Sequence, residues 1–385
     1  MRLTQRALCL ELSVTLALDA RAKAMRAAGR DVVSMAVGEP DFRAPEAAQA
    51  AAVERVRSGN VRYTAAGGAP ELRSALAAHV SATRHVPYAP EEIAVCHSAK
   101  HALTAAHLAL LEPGDEVLVL LPAWVSYFEI IKLTGATAVP VACLPDCRPD
   151  IEAMRAALTP RTRALLFNSP NNPSGVVWTR SEVEAVTDLA LERDLALISD
   201  EIYRALVYDG VVNTSPVEVR ADARARTVIV DGASKAFAMT GYRIGYVAGP
   251  RDLVDAVVRL NSQMTGAPNT ISQAAYRAAL EGPPAELDTM RATFQERRDV
   301  LANGLRALDF AVPEPKGAFY CFPDVSSVLD GRSSTAFCEE LLEREALALV
   351  PGSAFGLPNH VRFSYATDLA NIETALARFR RFLGR

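Results

Sequence analysis

Lys235 follows the apolar run Thr227-Val-Ile-Val230, in the stretch Asp231-Gly-Ala-Ser-Lys-Ala-Phe-Ala-Met-Thr-Gly-Tyr-Arg243-Ile-Gly. An amine in that place can form a Schiff base with an aldehyde, and an arginine on the next turn can hold a phosphate. Pyridoxal 5′-phosphate needs both groups. A lysine after a strand is more often a solvated loop residue, so the motif gains weight only from what stands beyond the other apolar runs.

Four other runs end in residues that suit the same ring. After Cys96 comes His97-Ser98-Ala99-Lys100, opening a helix whose free N–H groups, with the Ser98 hydroxyl, suit a phosphate; an ordinary serine N-cap reads the same way. After Leu121 comes Trp124, whose indole could stack on a ring or pack in a core. After Phe167 comes Asn171-Asn172-Pro-Ser-Gly175, a turn in which the Asn172 amide could donate to a phenolate-like oxygen. After Ile198 comes Ser199-Asp200-Glu201-Ile-Tyr203. A carboxylate at the depth of Asp200 needs a cation; a protonated pyridine nitrogen is one, and its proton makes the ring an electron sink. Tyr203 would reach the oxygen that Asn172 reaches. Asp200 reads alternatively as a helix N-cap.

These residues must be positioned by strands. Residues 92–96, 116–121, 138–141, 164–167, 195–198 and 227–230 are dense apolar runs with little alternation, as expected of strands covered on both faces. Helical stretches at 100–111, 150–158 and 180–193 separate them, which predicts an α/β fold: a mostly parallel sheet sandwiched by helices. Ligands of such sheets lie outside the carboxyl ends of the strands, where all these candidates stand. A helix is expected over 12–29, ending at Gly29, and a long one over 285–308, after the break at Glu281-Gly-Pro-Pro. A strand–helix–strand–helix tail follows. The expected organisation is an N-terminal arm (1–44) that joins a C-terminal α+β small domain (283–385), beside a large cofactor-binding domain (45–282).

With 385 residues the chain is too long for one core. Its net charge of −4 and lack of a clustered basic tract argue against nucleic acid or an anionic membrane as partner. No uncharged stretch approaches the roughly 18–20 apolar residues of a membrane span, and Glu11 interrupts the only N-terminal apolar run. The six cysteines lack metal-type pairing, so no metal is called for and the thiols are expected reduced, in a cytoplasmic protein.

Gly38-Glu-Pro-Asp-Phe, Tyr63-Thr-Ala-Ala-Gly-Gly, Asn171-Asn-Pro-Ser-Gly, Ser199-Asp-Glu-Ile-Tyr, Ser234-Lys-Ala-Phe and Val361-Arg-Phe-Ser-Tyr-Ala occur in that order over nearly the whole chain. As a set they resemble the class I/II aminotransferases, and within them the bacterial aspartate aminotransferase subgroup of fold-type I pyridoxal phosphate enzymes. The resemblance implies that Lys235 is the Schiff-base lysine, Asp200 the partner of the ring nitrogen, and Asn172 and Tyr203 donors to the ring oxygen. Trp124 matches the stacking aromatic. Ser98, Ala99, Lys100 and Arg243 match the phosphate pocket, with Ser234 beside it. Arg362 matches the arginine of the substrate α-carboxylate, and Gly38 a backbone contact to substrate. A homodimer is implied, with Tyr63 reaching the neighbouring subunit's phosphate. In this subgroup the position of Lys100 can also meet a distal carboxylate of the substrate. Two departures stand out. Gly232 replaces a Ser or Thr that many relatives carry, and Glu11-Leu12-Ser13 replaces a Lys-Pro-Ser, reversing a charge near the substrate.

The implied activity moves an amino group between an L-amino acid and a 2-oxo acid such as 2-oxoglutarate, in two half-reactions through Lys235. A β- or γ-eliminating lyase or synthase of the same fold uses the same lysine, aspartate and arginine and is the alternative. A cofactor-sensing regulator would need a DNA-binding module, for which only about 30 residues precede the fold.

Overall fold

The computed structural model describes residues 2–11, 14–283 and 285–385. A helix, Val14–Ala27, leads to the short strand β1 (Val33–Ser34). Gly29, at φ +85°, turns the chain just past the helix end, a backbone conformation that glycine adopts without strain. Of the helix expected over 12–29, Leu12 and Ser13 lie outside the described residues.

The central sheet is built from β2 (Ile93–Cys96), β3 (Glu116–Leu121), β4 (Thr137–Ala142), β5 (Thr162–Asn168), β6 (Ala196–Asp200), β7 (Thr227–Gly232) and β8 (Gly245–Ala248), in the order β2-β8-β7-β6-β5-β3-β4. Its middle strands run parallel, while β8 lies antiparallel between β2 and β7. The strand β8 corrects the sequence expectation. Gly245-Tyr-Val-Ala sits against the Gly-Tyr-Arg turn and between glycines, so nothing local marks it as a strand.

Both faces of the sheet are covered. Val117 and Val119 join the helices Ala99–Leu110, Ser126–Thr134 and Arg251–Met264 in one core. Leu118 and Leu120 point the other way, to Val183, Val186 and Leu189 of the helix Arg180–Glu192. Ile93 and Val95 meet Leu72, Leu76 and Val80 of the helix Pro70–Arg84. The period of two that sends neighbours to opposite faces is intact; both destinations are simply apolar.

A separate core gathers Val33 and Met35 with Leu301, Phe337, Leu341, Phe363 and Phe379. Here β9 (Tyr320–Cys321), β10 (Leu347–Ala348), β11 (Val350–Pro351) and β12 (Val361–Ser364) form two small sheets: β11-β12-β9, antiparallel, and β1-β10, parallel. The helices are Ala285–Arg306, Ser334–Glu345 and Leu369–Phe382. Three short strands, not one, therefore stand between the last two helices. Two-residue strands such as Leu347–Ala348 have no periodicity to read. The pairing of β1 with β10 does bring the N-terminal segment to the C-terminal one. Among the described residues no helix is long and apolar enough to cross a membrane, and no cluster of His, Cys, Asp and Glu could hold a metal ion.

Candidate active site

At the carboxyl ends of the parallel strands lies a cavity of about 270 Å³. It is lined by Gly38, Ser98, Ala99, Lys100, Trp124, Asn172, Asp200, Tyr203, Ser234, Lys235, Arg243 and Arg362, every expected site residue except Tyr63. Tyr63 is 98% exposed on the outside of the chain. Glu11 also stands apart: it does not line the cavity, and its backbone N–H donates to Glu129 Oε2 at 2.9 Å.

Asp200 ends β6, and its carboxylate is buried. Oδ2 accepts from the Tyr127 hydroxyl at 2.6 Å and Oδ1 from the Ile202 N–H at 3.3 Å. Among the described residues no cation pairs with it. Burial pushes its pKa up to about 6, against the pull of the Tyr127 and Ile202 bonds. The adjacent acids are neutralised from behind: Arg84, fully buried, binds Glu201 Oε2 and Asp231 Oδ2, each at 3.0 Å. A buried carboxylate with two bonds and no counter-charge is costly as it stands.

Lys235 sits in the single helical turn Ala233–Ala236 that follows β7, and its Nζ donates to Gly38 O at 2.6 Å. Burial is the main cause that lowers its pKa to about 8, with Glu39 opposing and the charges of Arg243 and Arg362 adding to the fall. Glu39 accepts a hydrogen bond from Thr240 Oγ1, tying the β1 side of the cavity to the turn before Arg243.

The helix Ala99–Leu110 opens at Ser98, whose Oγ accepts from His101 N at 3.3 Å. So Ser98 is a cap, as the plainer reading held, and it also lines the cavity. Its φ of +122° is rare for a residue with a side chain; such backbone persists only where packing imposes it. A Cβ at Gly245 would meet Ala99 N at 2.5 Å, so β8 passes directly beneath this helix end. The Gly232 departure has the same origin. Gly232 pairs with Gly245, and a Cβ there would meet Gly245 Cα at 2.8 Å, leaving no room for Ser or Thr. Ser234, buried at the cavity wall, is the hydroxyl nearby in sequence.

Lys100 Nζ lies 4.9 Å from the centre of the Trp124 ring, and burial together with the charge of Arg243 lowers its pKa. Arg362, on β12, is buried. Its Nη1 donates to Asn172 Oδ1 at 2.9 Å and its Nη2 to Ala36 O at 2.7 Å, while its Nε has no partner among the described residues. The bond to Oδ1 leaves the Asn172 amide nitrogen for the cavity.

Of the eight other lining residues, none of which the sequence singled out, two bond through their side chains to expected site residues: Tyr127 to Asp200 and Tyr320 to Tyr203. Tyr127 follows Trp124 by three residues in the first turn of its helix, a spacing that was available but carried no chemistry by itself. Tyr320, on β9, has no such signal; it reads as core.

A family model described as aminotransferase class I and II matches residues 30–379. The aspartate aminotransferase of Geobacillus stearothermophilus is 40% identical over 389 residues, covering 100% of this chain and 99% of that protein. The aspartate/prephenate aminotransferase of Thermus thermophilus is 43% identical, with 100% and 99% covered. The solved structure of the Thermus thermophilus aspartate aminotransferase with maleate superposes with a TM-score of 0.95 at 43% identity, covering 99% of this chain and all of that one.

Proposed function

The chain belongs to the class I and II aminotransferases, and on that premise we propose how its own residues divide the transfer of an amino group. It is a pyridoxal phosphate-dependent transaminase of α/β fold, taking an amino acid and a 2-oxo acid. The eliminating alternative gains no support from relatives that carry transaminase names.

The residues fit the cofactor. The observation that carries the assignment is Asp200, a buried carboxylate with no cation paired to it among the described residues, on the wall of a cavity that also presents Lys235. Three more cations, Lys100, Arg243 and Arg362, line the same cavity, in which Asp200 is the one carboxylate among the lining residues, which suits a phosphate and a carboxylate together. When bound, pyridoxal phosphate supplies an aldehyde for the amine and a ring that withdraws electrons from the substrate. Asp200 would hold the proton on the ring nitrogen. The N–H groups at Ser98–Lys100, Ser234 and Arg243 would hold the phosphate. Asn172 and Tyr203 would donate to the ring oxygen, and Trp124 would cover a ring face. Arg362 would take the substrate carboxylate in the two-pronged way a guanidinium allows, with Gly38 beside it. Lys235, with a pKa near 8, is matched to taking a proton from the substrate Cα and returning it.

The preferred amino donor is an acidic one such as aspartate or glutamate, with 2-oxoglutarate as acceptor. Lys100 at the cavity supports this, as does the relative solved with maleate, itself a dicarboxylate. A charge-assisted contact contributes about 1.5–3 kcal/mol, or roughly ten- to a hundredfold in kcat/KM. Lys100→Ala should therefore lose that factor with an acidic donor and much less with a neutral one. Equal fractional losses would reduce Lys100 to a phosphate ligand.

The working unit is a homodimer in the cytoplasm, each chain divided at 1–44, 45–282 and 283–385. Tyr63 lies outside its own cavity and is almost fully exposed, as are in part Val53, Val56 and Val61 close to it in sequence, as a residue destined for a neighbour's site would be. Sedimentation of the active enzyme should give the mass of two chains; a fully active monomer would remove the claim.

A further inference from the structure

Tyr320 is 1% exposed, yet it lines the cavity. Its hydroxyl lies 2.9 Å from that of Tyr203, and its ring carries the Arg362 guanidinium on its face, 4.4 Å from the centre. The register explains the double reach: Tyr320 pairs with Ser364, two residues beyond Arg362 on the neighbouring strand. The backbone of residue 38 is fitted to the same group, because a Cβ on Gly38 would sit 2.4 Å from the Tyr320 oxygen. A core tyrosine needs none of these contacts at once.

We propose that Tyr320 is a positioning residue that ties the cofactor side of the cavity, through Tyr203, to the carboxylate side, through Arg362. This rests on reading the cavity as the pyridoxal phosphate site. Two hydroxyls in contact share one hydrogen bond and leave one hydrogen over. Tyr203 is the only hydrogen-bond partner of the Tyr320 hydroxyl among the described residues. Donation from Tyr320 satisfies that buried group and leaves the Tyr203 hydrogen for the ring oxygen. A hydrogen bond from Tyr320 also polarises the Tyr203 hydroxyl, making it a stronger donor. The ring face meanwhile holds the guanidinium in the plane where it meets a carboxylate.

The test uses the holoenzyme and two readouts, the pH midpoint of the bound cofactor's visible absorption and the split of KM against kcat. Tyr320→Phe removes the hydroxyl and keeps the ring. It should raise the absorption midpoint by about half a unit to one unit, the size of one neutral hydrogen bond, because a weakened donor favours the anionic ring oxygen less. KM for the amino donor should change less than in Tyr320→Leu, which loses the ring face too and should raise KM by about 2- to 30-fold, the range of a cation–π contact. In a Tyr203→Phe background, Tyr320→Phe should shift the midpoint no further. An unshifted midpoint in Tyr320→Phe, or an undiminished shift in the Tyr203→Phe background, overturns the proposal. Should Tyr320→Leu fail to fold, the two phenylalanine variants still decide it. A wild-type protein that binds no pyridoxal phosphate would instead overturn the reading on which it rests.

Discussion

Lys235→Ala should lower transamination by about 10³–10⁴-fold while the protein still binds pyridoxal phosphate. A positioned acid–base group contributes about 10²–10⁴-fold, and this lysine is also the amine the aldehyde captures, so the loss belongs at the upper end. Binding survives because the other contacts remain: Asp200, Arg243, and the helix end at Ser98 all line the cavity independently of residue 235. The truncation also frees Gly38 O, which accepts from Nζ at 2.6 Å, but that carbonyl borders the cavity and water can replace the donor. Cofactor retained per chain and turnover with aspartate and 2-oxoglutarate measure the two effects separately. In the wild type, borohydride followed by peptide mapping should place the cofactor on Lys235. Turnover near wild type in the variant would refute the assignment.

Asp200→Asn should weaken cofactor binding and turnover together, on the order of 10²–10⁴-fold, since removing one partner of a buried charge pair costs about 3–5 kcal/mol. The substitution keeps the shape and one acceptor: the amide oxygen can still accept from Ile202 N, 3.3 Å from Oδ1 in the wild type, while the amide nitrogen replaces Oδ2 and donates to a Tyr127 hydroxyl turned to accept it, so folding is spared while the charge is lost. The pH dependence gives a second check. In the cofactor-free protein Asp200 has its pKa raised to about 6. Above that value it is ionised and ready for a ring cation; as pH falls through it, the carboxylate takes up a proton and the advantage disappears. The ratio of wild-type to Asp200→Asn affinity should be large and flat above about pH 7 and shrink below pH 6. A fully active variant would leave Asp200 only its structural bonds to Tyr127 and Ile202.

The site was legible to the extent that it depends on strand ends. Every strand of the parallel run was visible as an apolar block, and a parallel sheet delivers the residues after its strands to one rim. Ser98, Trp124, Asn172, Asp200 and Lys235 could therefore be grouped without coordinates, and the motif resemblance added Gly38 and Arg362, which belong to no strand of that sheet. Tyr127 escaped because its function is a bond to Asp200 across 73 residues, and nothing local distinguishes it from a helix residue of the core. The strand β8 escaped because its four residues sit between glycines next to a turn.

What the sequence determined by itself is therefore the inventory and its order: which side chains follow which strand, and what chemistry those side chains can do. Tertiary structure alone decided the pairings across the cavity. Arg362 meets Asn172 from 190 residues away, Tyr320 meets Tyr203 across 117, and Lys235 meets Gly38 across 197. Gly232 is a glycine because Gly245 packs against it, a cause that lies on another strand. The physical reason is the same in each case. Periodicity and turn chemistry are properties of neighbours along the chain, whereas a hydrogen bond or a close backbone approach depends on register and packing between elements, which only the closed fold sets.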